Sequence, residues 1–197
     1  MEIKQYLDIF FKKIRTIDEH SIMNLVSDIK NAYDNEKFIF LIGNGGSAAK
    51  ASHLAQDLSK GVIIDQTVKK RIKALSLTDN VPYLTALAND DGYENVFVSQ
   101  LRTFSKPGDY LLAISGSGNS SNVIKAAEYC KKNKIKVIGI TGFDGGKLKL
   151  LSDTSVHVPL NEMAMVESIH SVIFHYVINY LRMEITGTSF KLEDFEF

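Results

Sequence analysis

Three hydroxyls crowd into six residues at Ser115-Gly116-Ser117-Gly118-Asn119-Ser120, directly after the apolar run Tyr110 to Ile114. A second glycine-rich stretch, Gly43-Asn44-Gly45-Gly46-Ser47, follows the apolar run Phe38 to Ile42. Each stretch is succeeded by a helical pattern, so each reads as strand, tight loop, helix. Such a loop leaves the first amides of the helix unpaired and points a partial positive charge at whatever lies above them, which suits a phosphate. A capped turn needs one hydroxyl, and three exceed that need. The serine loop carries no Walker lysine, which argues against a nucleoside triphosphate. Gly43-x-Gly45-x-x-Ala48 formally fits a dinucleotide fingerprint, with Asp65 near the spacing of a ribose-binding acid. That acid follows only the short run Val62 to Ile64, however, and the fingerprint leaves the serine loop unexplained.

A second set of chemistry-bearing residues lies on helical patterns. His53 and Asp57 are four apart on the helix leaving the first loop, and so share a face. Glu167 and His175 are eight apart on the last helical stretch and also share a face, while His170 points roughly 60° away. Two histidines and two carboxylates on facing helices suit either a zinc site or an acid/base pair. Each residue alone also fits an ordinary amphipathic helix.

The elements that must position these residues alternate. The pattern predicts strands at 38–42, 72–77, 109–114, 135–140 and 154–158, and helices at 47–59, 82–88, 93–104, 120–133 and 147–151. A last long helix runs from about Glu162 to Met183. Continuous apolar strands separated by helices predict an α/β fold: a three-layer α/β/α sandwich around a mostly parallel sheet. Ligands in such sheets bind beyond the carboxyl ends of the strands, where both loops and Thr78-Asp79-Asn80 would gather. Residues 1–35 form two amphipathic helices ahead of the first strand, with Asp18 and Ser21 available to cap the break. A lone sheet domain gives these helices little to cover, which points to packing between subunits.

The 197 residues suit a single domain, and 23 basic residues balance 23 acidic ones. Nothing in that charge favours nucleic acid or a membrane surface. The one cysteine, Cys130, lies in a helical pattern and reads as packing. The start, Met-Glu-Ile-Lys-Gln-Tyr, lacks the apolar core of a secretory leader, and no apolar run reaches the roughly 18 residues of a membrane span. A cytoplasmic protein is the expectation.

Taken in order, Gly43-Asn-Gly-Gly-Ser47, His53-x-x-x-Asp57, Ala88-Asn-Asp90-x-Gly92, Ile114-Ser-Gly-Ser-Gly-Asn-Ser120, Thr141-Gly-x-Asp-Gly-Gly146 and Ile169-His-x-x-x-x-His175 resemble the phosphoheptose isomerases. These are sugar-isomerase (SIS) domain proteins that convert sedoheptulose 7-phosphate into D-glycero-D-manno-heptose 7-phosphate for lipopolysaccharide or capsule. The resemblance covers nearly all of residues 1–185. It implies that Asn44, Gly45, Gly46, Ser47, Asp90, Ser115, Gly116, Ser117, Ser120 and Glu167 bind substrate. It implies zinc on His53, Asp57, Glu167 and His175, with Asp57 as base and His175 as acid. It also implies a homotetramer with sites at subunit boundaries. Four positions depart from the family pattern. Asp57 stands for the usual glutamate, a carboxylate shorter by on the order of 1.5 Å. Glu167 replaces glutamine, Ala164 replaces an acid that contacts sugar hydroxyls, and only Lys60 or Gly61 matches the basic residue after the base. Two rivals stand beside this reading. One is a non-catalytic SIS scaffold of the kind that binds a replication initiator and lacks a full acid/base set, against which His53, His175 and two carboxylates speak. The other is an isomerase for a different sugar phosphate, which the altered Ala164 position favours. Residues 186–197, with acids and phenylalanines, form a tail without an assigned role.

Overall fold

The run Phe38–Ile42 is apolar at every position, and in β1 the alternation of the strand sends Ile39 and Leu41 to one face and Phe40 and Ile42 to the other. Both faces are therefore covered, as a central parallel strand requires. The structure, a computed structural model, describes residues 2–188. Around β1 lie β2 (Lys73–Ser76), β3 (Tyr110–Ser115), β4 (Lys136–Thr141) and β5 (Thr154–His157), in the order β2-β1-β3-β4-β5 with every pair parallel. The expected sheet is thus present and wholly parallel.

Helices α1 (Ile3–Ile14) and α2 (Glu19–Asp34) precede the sheet. Asp18 accepts a hydrogen bond from the His20 amide at 3.0 Å, and the Ser21 hydroxyl donates to the Asp18 carbonyl at 2.7 Å, so both expected residues stabilise the break. On one face of the sheet, Leu25 and Ile29 of α2 pack with Ala51 and Leu54 of α3 (Gly46–Gln56) and with Val166, Ile169 and Val177 of α8 (Met163–Thr186). The other face is covered by α4 (Val81–Asp90), α5 (Val96–Phe104), α6 (Ser121–Lys132) and α7 (Gly146–Leu151). Its core includes Phe97, Leu101, Val123, Ala127 and Leu148. The result is the three-layer sandwich.

Two details differ from the sequence expectation. The helix foreseen over 47–59 changes character at Asp57, where Asp57–Gly61 form a π-helical turn closed by the Val62 amide on the Asp57 carbonyl at 3.1 Å. Arg182 of α8 holds the far end of that turn, its guanidinium donating to the Gly61 carbonyl at 2.8 and 3.1 Å. The helix foreseen over 93–104 begins with a 3-10 turn, Tyr93–Asn95, before α5. Of the tail, residues 189–197 lie outside the described residues.

Candidate active site

The chain leaves β1 through α3 to β2 on one side, then crosses back to β3 on the other. The loops after β1 and β3 therefore diverge at the point where the strand order reverses, which is where open α/β sheets hold their ligands. These are the two glycine- and serine-rich loops. Gly45 takes φ 53° and ψ −121°, a conformation reserved for glycine, and a Cβ there would meet nothing within 4 Å, so the loop opens onto free space. Gly118, at φ 65°, lies so close to the turn after β4 that a Cβ would stand 2.0 Å from the Gly145 carbonyl oxygen. Asn119 completes that brace: its side-chain amide donates to the Ser117 carbonyl at 3.0 Å, and its oxygen accepts from the Lys147 amide at 3.1 Å.

Ser120 occupies the N-cap of α6, yet its hydroxyl makes no capping hydrogen bond; it lies 3.4 Å from the Ser115 hydroxyl instead. A serine at this position ordinarily satisfies the helix amides itself. Here the two hydroxyls approach each other beside a helix start without a side-chain cap, an arrangement suited to an oxyanion. Ser117 accepts from the Asn119 amide at 3.3 Å, while Ser47 is buried at the start of α3. Asn44 joins the two loops, exchanging hydrogen bonds with Asn122 at 2.9 and 3.0 Å and accepting from the Tyr93 hydroxyl at 2.9 Å. Asp90 is exposed at the end of α4 and accepts from Asn89 at 2.7 Å; the segment following it reaches the first loop through Tyr93.

One end of α3 faces this receptor, and the other carries the second cluster. His53 Nε2 lies 3.3 Å and His175 Nε2 4.0 Å from Asp57 Oδ2, and the two imidazoles meet edge to face with centroids 5.3 Å apart. One ligand atom from each of the three residues lies within 4.8 Å of the others. A tetrahedral ion with bonds of about 2.0 to 2.1 Å holds its donors roughly 3.3 Å apart; the His53–Asp57 pair has that spacing, and His175, at 4.0 Å, would close in by less than an ångström to complete a divalent-metal set of two imidazoles and a carboxylate. The cavity lined by Lys50, His53, Asp57 and His175 encloses about 20 Å³, room for one water-sized occupant.

Glu167 departs from the expected four-residue ligand set. Its carboxylate receives Lys50 Nζ at 3.1 Å and stands against Gly46, where a Cβ would come within 2.9 Å of Oε1. The reason is Lys50 itself, an ammonium only 17% exposed that holds the nearest carboxylate. Two other histidines, His170 and His157, pack against Thr141. His170 donates from Nε2 to the Thr141 carbonyl at 3.2 Å, and burial pulls its pKa down to about 4, so the ring is neutral. The His157 ring shares a hydrogen bond with the Thr141 hydroxyl at 3.0 Å.

Asp65 does not serve a dinucleotide. Its carboxylate accepts from the Thr67 amide and hydroxyl at 2.8 and 2.7 Å, in a segment eight residues ahead of β2. The Thr67 amide holds its pKa below the usual carboxylate value. Cys130 is buried and its thiol pushed up to about 12, as a packing residue should be.

Asn122, Tyr93 and Lys50 were not among the site residues foreseen. Asn122 did leave a signal: it falls four residues before Ala126 on the buried stripe of α6, where an unpartnered polar group is costly. Lys50 falls three residues before His53, on the same helix face. Tyr93 left none, since its contact depends on the path of the chain between α4 and α5.

The SIS domain family profile matches residues 4–142. A probable phosphoheptose isomerase of Thermoplasma volcanium is 33% identical over 92% of this chain and 91% of its own. The phosphoheptose isomerase of Aneurinibacillus thermoaerophilus is 42% identical over 74% of this chain and 72% of its own. The solved structure of a Neisseria gonorrhoeae phosphoheptose isomerase superposes with a TM-score of 0.81 at 30% identity, covering 91% of this chain and 96% of that one.

Proposed function

This chain belongs to the phosphoheptose isomerase family of SIS-domain proteins, and from that premise we propose that it interconverts sedoheptulose 7-phosphate and D-glycero-D-manno-heptose 7-phosphate through an enediol or enediolate. One observation carries the reading: α3 starts at the anion receptor and ends at the His53, Asp57 and His175 cluster. From Gly46 to His53 the helix advances on the order of 10 Å. An extended seven-carbon chain with a terminal phosphate spans a similar distance, on the order of 10 Å. The Asn44–Asn122 pair ties the start of α3 to that of α6, so a phosphate on the Ser115, Ser117 and Ser120 loop would direct C1 and C2 along α3 toward the cluster.

In the forward direction Asp57 takes a proton from C1 and returns it to C2, while His175 gives a proton to O2 and takes one from O1. No atom is gained or lost, which is what an aldose–ketose isomerisation requires. The carboxylate is half-shielded and borders both imidazoles, so base and acid lie on one side of the reacting carbons. Binding energy collected at the phosphate orients those carbons. His53, Asp57 and His175 would hold zinc, which would supply Lewis-acid stabilisation of the developing oxyanion when bound; a carboxylate engaged by the ion is the poorer base, so Asp57 acts as base to the extent that the metal leaves it free.

The wider reading has α1 within a homotetramer, because Ile3, Leu7 and Phe11 are 69%, 42% and 54% exposed on a helix that buries no residue of its own. It has the enzyme in the cytoplasm, supplying heptose for lipopolysaccharide or capsule. Among the described residues no helix is long and apolar enough to cross a membrane.

A different sugar phosphate is the second reading, favoured by Ala164. It sits exposed in the first turn of α8, where its backbone amide donates to Glu162 at 3.0 Å and its carbonyl accepts from the Ser168 hydroxyl at 2.8 Å, and its methyl side chain offers a sugar no polar group. The test is turnover of a sugar-phosphate panel by metal-free and zinc-restored protein. Zinc-dependent conversion of sedoheptulose 7-phosphate is expected. Preference for another sugar phosphate establishes the second reading, and no turnover of any leaves a binding protein.

A further inference from the structure

Two rungs cross between α3 and α8. One joins Lys50 to Glu167 at 3.1 Å, and the next brings His53 against His175, with Asp57 beside them. Lys50 precedes His53 by three residues and Glu167 precedes His175 by eight, so all four lie on facing stripes of the two helices. Lys50 lines the same small cavity as the three-residue cluster, and its side chain is 17% exposed. Such an ammonium needs a counter-charge, and Glu167 supplies it.

We propose that Lys50 is a positioning residue that keeps Glu167 out of the His53, Asp57 and His175 cluster, so that a divalent ion there has three protein donors and one position open to a substrate oxygen. This rests on the metal reading above. The charge arithmetic gives the pairing its value. With Asp57 as the single anionic donor, a dication keeps a net positive charge and remains a Lewis acid. With Glu167 added, the two carboxylates neutralise it and close the fourth position, turning a catalytic type of site into a structural type. A glutamate at this position therefore needs a lysine opposite it.

The experiment is a double-mutant cycle on zinc affinity, measured in the full-length metal-free protein by competition with a chromogenic chelator. The four proteins are wild type, Lys50→Met, Glu167→Gln and the double variant. Lys50→Met is expected to bind zinc roughly tenfold more tightly or better, because Glu167 joins the ion, and to lose kcat. In the Glu167→Gln background the same substitution should leave zinc affinity unchanged. Lys50→Arg, which retains the cation, should match wild type, and Lys50→Gln repeats the test should the methionine variant not fold. Unchanged or weaker zinc binding by both Lys50→Met and Lys50→Gln overturns the proposal. So does an equal gain in both Glu167 backgrounds, since the effect then belongs to the lysine charge alone. Absence of zinc binding by wild type removes the metal reading and this proposal together. Zinc binding without turnover of sedoheptulose 7-phosphate removes only the substrate assignment, and the cycle still decides the role of Lys50.

Discussion

Asp57 is the residue on which the chemistry turns. It borders both imidazoles, sits at the junction of α3 with the π turn, and is the carboxylate nearest His175. Replacement by asparagine keeps the shape and removes the basicity. Asp57→Asn should lower kcat by on the order of 10² to 10⁴, the usual worth of a positioned base. Its affinity for the sugar phosphate, read by calorimetry, should hold, because the serine loop is untouched. Turnover within a few-fold of wild type would sink the base assignment. The residue types and spacings at this scale were legible in the sequence: three hydroxyls within six residues after a strand, and histidine and aspartate four apart on a helix. The partners of Asn44 and of Glu167 were less so. Asn122 is 78 residues from Asn44 and Lys50 is 117 from Glu167. Those pairings exist only once loops and helices have been brought together, and no local pattern specifies them.

At the scale of elements, α8 is anchored to the sheet by a neutral histidine. His170 is 1% exposed between Thr141 and the helix it belongs to, and burial outweighs the Thr141 carbonyl in setting its pKa at about 4. The unfolded chain protonates an ordinary histidine near pH 6.5. A depressed pKa in the fold means that this contribution is complete above about pH 6.5 and is lost as the pH falls toward 4. The loss is on the order of 3 kcal/mol across that window. His157, also lowered by burial, adds to the same slope. Urea denaturation of wild type at pH 7.5 and pH 4.5 should reveal the drop. In His170→Gln, which can keep the donor to Thr141, the drop should be markedly smaller; an equal drop would mean that His170 does not carry it. The helices were readable from their 3.6-residue apolar period, and the central strands from short continuous apolar runs such as Phe38–Ile42 between them. The π turn was not, because one extra residue in a turn leaves the apolar pattern of Leu54 and Leu58 intact.

For the whole molecule, strand order is what converts two separate loops into one site. Hydrophobic runs gave the number of strands, but their order depends on right-handed crossovers that local sequence does not encode. The same scale holds the apolar face of α1. If that face makes the proposed tetramer contact, Leu7→Lys combined with Phe11→Lys should dissociate it, with a lower mass by sedimentation equilibrium and unchanged secondary structure by circular dichroism. A monomeric wild type, or an undisturbed assembly in the double variant, would refute that use of the face.

The long helix α8 spans 24 residues, about 36 Å. Met163, at its start, stands over Gly116, with a Cβ there only 2.5 Å from the Met163 sulfur. Farther along, Ile173 and Tyr176 line a groove with Ile14, Ile17 and Ile22 of the N-terminal region. One continuous rod thus touches the anion receptor, carries Glu167 and His175, and meets the N-terminal helix pair. If ligand fixes that rod more firmly than the free protein does, the gain is shared with every surface the rod supports. If subunits associate through α1 as proposed, reciprocity demands that this association tighten sugar-phosphate binding by the same factor by which sugar phosphate tightens association.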